Sequence, residues 1–169
     1  DWYALADTER RFLQMQRALE ALDEWYKAGA GEVSRAELEN ERANVYLSQR
    51  TLNAAQAAVD RTRAKPSDKL GSAACRNQMR IWANLGDYKR ALRLAKEATA
   101  RFGSEYLLWE WLGYAGQEAG TREDVGEAGA KCLALSARHE HQPWQEPLYH
   151  TRMAQSYVFL ERWDEAEKS

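Results

Sequence analysis

Two histidines, His139 and His141, flank Glu140 and are the residues of this sequence that most directly suggest metal chemistry. Zinc sites use histidine, cysteine and carboxylate ligands, so Cys132 or His150 would have to complete the set. A spacing of two residues points the two imidazoles to different faces of a helix, and the sequence holds no second ligand pair with finger-like spacing. We therefore predict a solvated connecting loop in this segment and no metal site.

The other polar residues do not predict a catalytic site. Catalysis needs a nucleophile, base or metal held in mutual geometry, and no such set is visible. The glycines fall singly at turns or helix crossings and never form a phosphate-cradling string. Cys75 and Cys132 occupy small-residue positions of predicted helices, where a thiol usually packs as a compact apolar group. We predict no enzymatic activity and no cofactor, and two unpaired thiols suit the reducing cytoplasm.

Composition narrows the class of partner. The 169 residues are 44% hydrophobic, which is enough to form a packed core, and their formal net charge is −2. A nearly neutral chain has no broad field that would draw it to nucleic acid or an anionic membrane. RNA binding would also need a basic, aromatic-lined surface in repeat after repeat, and only one repeat is basic. No apolar run approaches the roughly 18 to 20 residues of a membrane span.

The elements that would carry these residues are helices. Three prolines and few Val, Ile and Thr residues beside abundant Ala, Leu, Glu, Arg and Gln are typical of an all-α protein. An N-terminal helix within residues 1–35 is predicted to end at the glycines near position 30. Its apolar face would carry Phe12, Met15, Leu19, Leu22 and Tyr26. We interpret this helix as part of a degenerate earlier repeat, and a capping helix is the alternative.

An internal repeat organises the rest of the chain. The clearest unit has an aromatic Trp82, a turn at Gly86, and then alanines spaced three and four residues apart on one helix face: Ala91, Ala95 and Ala98. Trp109 lies 34 positions after Cys75. When the two segments are aligned with this offset, small residues are aligned with small residues, as Gly129 is with Ala95. Similar offsets predict repeats at 36–71, 72–105 and 106–146 and a truncated one at 147–169.

This pattern resembles the tetratricopeptide repeat, whose signature begins with Trp, two residues and Leu-Gly. The best match is Trp109-x-x-Leu112-Gly113, although Arg50 and Glu161 replace the turn glycine and no repeat ends in the usual proline. The resemblance is to the superfamily and covers residues 36–169. It implies an all-α, right-handed solenoid of antiparallel helix pairs, with about four repeats plus the N-terminal helix.

The resemblance also implies which side chains face a partner, because the first helix of each pair lines the concave groove of such proteins. By repeat position this lining would comprise Asn40, Asn44, Leu47, Arg76, Asn77, Arg80, Asn84, Glu110, Tyr114, Gln117, Thr151 and Gln155. Of these, we predict that Asn44, Arg76, Asn77, Arg80, Asn84, Tyr114 and Gln117 contact the partner.

The lining is similar in part to the carboxylate clamp by which co-chaperones of this superfamily bind acidic tails. Asn44 and Asn77 stand at clamp positions, but Asn40, Leu107 and Trp111 stand where basic residues belong. We therefore reject a chaperone-tail receptor. Two arginines of the second repeat remain suited to a carboxylate-bearing segment, and an exposed helix face paired with nearby acids is the alternative.

Tryptophans supply the remaining interface candidates. Trp82, Trp109 and Trp163 occupy packing positions of the repeat and are predicted to be core residues. Trp111 and Trp144 have no packing position, so we predict that they lie at a binding surface.

These observations predict a protein-interaction scaffold that binds a peptide or helix, either of a partner protein or of another domain of the same polypeptide. The alternative is the regulatory or sensor region of a larger multidomain enzyme or signalling protein. The sequence opens at Asp1 without a methionine and closes at Ser169, one turn into a new helix, so we expect a fragment of a longer protein.

Overall fold

The computed structural model describes residues 15–29, 31–65, 68–119, 121–136 and 146–168, without the side chains at 146–150, 152 and 153. This part of the chain contains helices and no strand, so the all-α prediction is confirmed. The helices are α1 (Met15–Ala28), α2 (Arg35–Ser48), α3 (Leu52–Arg61), α4 (Ser72–Asn84), α5 (Tyr88–Arg101), α6 (Tyr106–Ala119), α7 (Arg122–Ser136), α8 (Glu146–Phe159) and α9 (Trp163–Glu167).

The chain divides into two compact units, residues 1–85 and 86–169. Helices α1 to α4 belong to the first unit and α5 to α9 to the second. The predicted repeat 72–105 therefore contributes its first helix to one unit and its second helix to the other. The division of the chain into four repeats stays a prediction.

A capping box marks the start of one helix, and residues in the left-handed conformation form the turns between helices. Before α2, the Ser34 hydroxyl accepts a hydrogen bond from the Glu37 amide, while the Ser34 amide donates to the Glu37 carboxylate. This capping box satisfies amides that would otherwise lack partners at the helix start. Gly86 has φ of 74°, and Arg50 and Glu161 adopt the same left-handed region at 55° and 58°. The turn conformation is therefore kept where the glycine is replaced.

In the first unit, α1 packs against α2 through a small apolar core. Ala18, Ala21 and Leu22 of α1 are buried with Leu38 and Val45 of α2. The predicted apolar face of α1 is partly wrong, because Tyr26 is exposed and Trp25 packs against the core in its place. Residue 25 lies three positions after Leu22 and so follows the same stripe.

A buried carboxylate joins three helices of this unit. Glu39 of α2 is only 1% exposed and accepts hydrogen bonds from Arg42 of the same helix and from Arg61 of α3, each at 2.8 Å. Arg42 also donates to Asp23 of α1 at 2.5 Å. Burial alone would lower the pKa of Arg42, but Asp23 and Glu39 together raise it above the ordinary arginine value. Beside this network, Gln56 of α3 and Gln78 of α4 exchange two amide hydrogen bonds.

In the second unit, glycines allow α6 and α7 to approach α8. A methyl group at Gly113 of α6 would overlap the ring of Phe159, which is buried. At Gly129 of α7 it would lie 2.9 Å from Leu160 Cγ, 2.9 Å from Phe159 Cβ and 3.0 Å from the Ser156 carbonyl oxygen. These separations are shorter than van der Waals contact, so the observed packing requires glycine at both positions.

The three tryptophans that were predicted to be core residues differ in burial. Trp109 is buried and its indole N–H donates to the Gly103 carbonyl at 2.8 Å, whereas Trp82 is half-buried. Trp163 is 62% exposed, so its assignment to the core is wrong. It begins α9, a helix of five residues that packs mainly against α8 and leaves the indole outside that contact.

Replacing Glu39 by Gln should destabilise the first unit by about 1 to 3 kcal/mol, because two arginines lose the anion between them. The matched control is Glu41→Gln on the same helix, where the carboxylate accepts a hydrogen bond from the Asn44 amide at 3.2 Å. That control should change the free energy of unfolding by less than about 0.5 kcal/mol. Urea unfolding followed by circular dichroism measures both, and equal effects would contradict the role of Glu39.

Replacing Gly129 by Ala should destabilise the second unit by about 1 to 3 kcal/mol through overpacking. Gly126→Ala on the same helix is the control, because a methyl group there meets no atom within 4 Å. The control gains helix propensity and should stabilise α7 by about 0.5 to 1 kcal/mol. Opposite shifts of the thermal midpoint are expected, and a stabilising Gly129→Ala would refute the close approach to α8.

Candidate partner-binding surface

The first unit presents polar side chains where α2 and α4 lie side by side. Arg80 of α4 donates to the Asn44 side-chain oxygen of α2 at 2.8 Å, and the Asn44 amide donates to Glu41. Asn84, one turn after Arg80, donates to the Arg80 carbonyl at 2.8 Å. Three of the residues predicted from the sequence are therefore brought together, and the guanidinium of Arg80 is held in one orientation.

The other two predicted residues of this unit differ from each other in exposure. Asn77 is 3% exposed, and its amide donates to the Asn40 carbonyl at 3.1 Å, so this side chain ties α4 to α2. Arg76 is half-buried, and its Nε is enclosed without a hydrogen-bond partner in the described part of the chain. The geometry thus leaves Arg76, and not Asn77, accessible to a partner.

The second unit presents aromatic side chains along α6. The Tyr114 ring contacts the Phe159 ring edge-to-face, with centroids 5.4 Å apart and planes at 82°. It also contacts the Trp111 ring, with centroids 6.1 Å apart and planes at 65°. Tyr114 nevertheless remains 37% exposed, Trp111 is half-buried, and Gln117 is exposed one turn further along. The rings are held in place by one another and still offer surface to solvent.

The environment of Tyr114 raises the pKa of its hydroxyl. Burial is the largest cause that raises the pKa of this phenol, and the negative charge of Glu110, one turn earlier on α6, raises it further. Cys132 of α7 acts in the same direction. The hydroxyl therefore remains a neutral group that both donates and accepts hydrogen bonds near pH 7.

Sequence reasoning missed Phe159, the residue that supports Tyr114. It lies at the end of α8, outside the positions assigned to the groove. The signal that would have found it is the pair of glycines at 113 and 129, whose missing side chains leave room for the Phe159 ring and for the backbone beside it. Trp144, the remaining predicted interface residue, lies outside the described residues.

His139 and His141 also lie outside the described residues, and the part that is described contains no group of three His, Cys, Asp or Glu side chains able to hold a metal ion. Among the described helices, none combines the length and the apolar composition that crossing a membrane requires.

Comparison with solved structures identifies the fold. The chain is similar to MamA 41-end from Desulfovibrio magneticus RS-1, with a TM-score of 0.58 and 18% identity over 99% of this chain and 88% of that chain. It is also similar to MamA AMB-1, with a TM-score of 0.53 and 15% identity over 98% and 84% of the two chains. MamA MSR-1 gives the same TM-score and identity over 98% and 88%.

No protein-family model and no curated protein sequence matches this chain. MamA is a tetratricopeptide-like helical-repeat protein, so the fold expected from the internal repeats is confirmed. At these identities the likeness concerns the fold alone.

The ionisation of Tyr114 provides a test of its surroundings. Its pKa should lie above the ordinary value of 10.0, and Glu110→Gln should lower it because one of the causes is removed. A raised pKa in the folded state means that stability is complete below pH 10 and decreases as the pH rises through the folded value. Tyrosine Cζ chemical shifts during a pH titration measure this, with Tyr114→Phe to assign the signal.

The control for this titration is Glu127→Gln, which removes an exposed carboxylate from α7. This control should leave the titration of Tyr114 unchanged. An equal change in both variants would show that net charge, and not the position of Glu110, sets the pKa.

Proposed function

We propose that this chain is a protein-interaction module that binds a peptide or a helix of a partner protein through the first helices of its helix pairs. The observation that carries the proposal is the exposed aromatic surface of α6, where the Tyr114 ring contacts the rings of both Trp111 and Phe159. An exposed ring that is already immobilised loses little conformational entropy when a partner covers it.

The residue types support the same proposal. Trp, Tyr and Arg are the side chains most often found at the energetic centre of protein interfaces. Such a centre typically combines apolar anchors with a few oriented polar groups. In the second unit, Trp111 and Tyr114 provide the anchors, and Gln117 provides a polar contact one turn away.

In the first unit, Arg80 and Asn44 provide an oriented polar pair, with Arg76 and Asn84 each one turn from Arg80 on α4. Guanidinium groups suit carboxylates or main-chain carbonyls of a partner segment. The contribution of Asn77 is to hold α4 against α2, so its replacement acts on the surface through the helix position. The four repeats remain the organisation that we propose for the chain.

We also place this module in a reducing compartment, the cytoplasm. Cys75 and Cys132 are buried and are not joined in a disulfide. Neither thiol is available to form a disulfide at the surface.

The test is a selection of binding peptides from a displayed random library, which makes no assumption about partner chemistry. We expect peptides that bind with affinities in the micromolar range and lose about ten-fold or more on Trp111→Ala or Tyr114→Ala. Fluorescence anisotropy with the selected peptides measures the loss.

Tyr26→Ala is the matched control, because Tyr26 of α1 is exposed to the same 37% as Tyr114. This control should leave the affinity within a factor of about two. Peptides whose binding falls equally in the control and the α6 variants, or the absence of any selected peptide, would contradict the proposal.

A further inference from the structure

The charged residues of α6 are all acidic. Its 14 residues contain Glu110 and Glu118 and no Lys, Arg or His. Tyr114 lies midway between the two glutamates, four residues from each, so the three share one face of the helix at intervals of about 6 Å along its axis. Glu118 is exposed and Glu110 is half-buried. An aromatic ring is thus flanked along the helix by two carboxylates.

The exposed part of the Tyr114 ring keeps a defined orientation. Both ring neighbours, Phe159 and Trp111, contact it in edge geometry, with interplanar angles of 82° and 65°. The face of an aromatic ring carries negative electrostatic potential, and nearby carboxylates add to it. Glu110 also raises the pKa of the Tyr114 hydroxyl, after the larger effect of burial.

Other aromatic rings of the second unit already have a cation of the chain against them. The Arg101 guanidinium lies 4.7 Å from the Phe102 ring centroid, and that of Arg162 lies 5.1 Å from the centroid of Tyr157. Lys131 Nζ lies 5.7 Å from the Trp109 ring. In the part of the chain that the structure describes, no cation of the chain lies over the Tyr114 or the Trp111 ring.

We propose that the surface formed by Tyr114, Trp111, Glu110 and Glu118 receives an arginine side chain of the partner protein. The guanidinium would stack on the Tyr114 ring, and its N–H groups would donate to Glu118, while its aliphatic stem covers Trp111. Arginine suits this surface better than lysine because its planar group stacks on a ring and donates to a carboxylate at the same time. The inference rests on the proposed function and specifies the chemistry of the partner.

The first measurement uses a synthetic fluorescein-labelled peptide that repeats Ala-Leu-Arg-Ser three times, and two counterparts with Gln or Glu in place of Arg. Wild-type protein should bind the arginine peptide at least about five-fold more tightly than the glutamine peptide, and the glutamate peptide most weakly. Equal affinity for the arginine and glutamine peptides overturns the inference. So does failure of the arginine peptide to bind at concentrations up to about 1 mM.

A double-mutant cycle then locates the cation. Tyr114→Leu keeps an apolar side chain but removes the ring, and should weaken the arginine peptide by about three- to ten-fold while changing the glutamine peptide by less than about two-fold. Tyr114→Phe keeps the ring and should retain the preference for arginine. Circular dichroism confirms that each variant is folded. The same loss for both peptides overturns the stacking.

The contribution of Glu118 has its own control. Glu118→Gln should weaken the arginine peptide by about two- to five-fold, and added salt should reduce the difference. Glu127→Gln removes an equally exposed carboxylate from α7 and should have little effect. If both variants weaken binding equally, net charge and not this surface attracts the peptide, which overturns the inference.

The inference and the proposed function fail in different ways. Selected peptides that depend on Trp111 and Tyr114 but contain no arginine would leave the interaction module standing and remove the arginine. A selection without any binding peptide, together with no binding of the arginine peptide, would remove both.

Discussion

The packing depends above all on helices that approach one another where a side chain is small or absent. Phe159 is buried because Gly113 and Gly129 leave space for its ring and for the backbone of α8. In the first unit, Ala55, Ala58 and Val59 of α3 are fully buried and serve the same purpose. Helices without large residues at their crossings come closer, so the large rings that remain must occupy defined positions.

The close approach of the helices affects the candidate surface through the ring of Phe159. Because Gly113 leaves room for Phe159, the Phe159 ring contacts Tyr114 one residue further along α6, and Tyr114 in turn contacts Trp111. A packing requirement in the interior therefore determines how an exposed ring is oriented. Tyr114 is therefore held in place by residues of the packed helices, and its position does not depend on a loop.

The first unit positions its polar residues by hydrogen bonds that link helices. Glu39 holds Arg61 of α3 and, through Arg42, Asp23 of α1. Asn77 and Arg80 tie α4 to α2 through Asn40 and Asn44. Groups that are so paired limit how the helices can slide past one another, because each displacement would leave a half-buried charge or amide without its partner.

The sequence predicted the helices and the turns well, because both follow from local rules. Alanines three and four residues apart define a helix face, and Gly86 marks a turn whose φ is also adopted by Arg50. The predictions that failed concern tertiary contacts. The exposure of Trp163 depends on which neighbour covers it, and repeat alignment alone assigns every equivalent tryptophan to the core.

The predictions for the candidate surface divide in the same way, into those that follow from sequence position and those that depend on tertiary contacts. Tyr114 was predicted because its repeat position lines the groove, but the pairing of Asn77 with a main-chain carbonyl could not be predicted from a position match. An asparagine at an equivalent position serves a ligand in one protein and a neighbouring helix in another, since the amide satisfies either partner equally well. Deciding between these uses requires the distance to the nearest acceptor, which the spacing of residues along one helix does not contain.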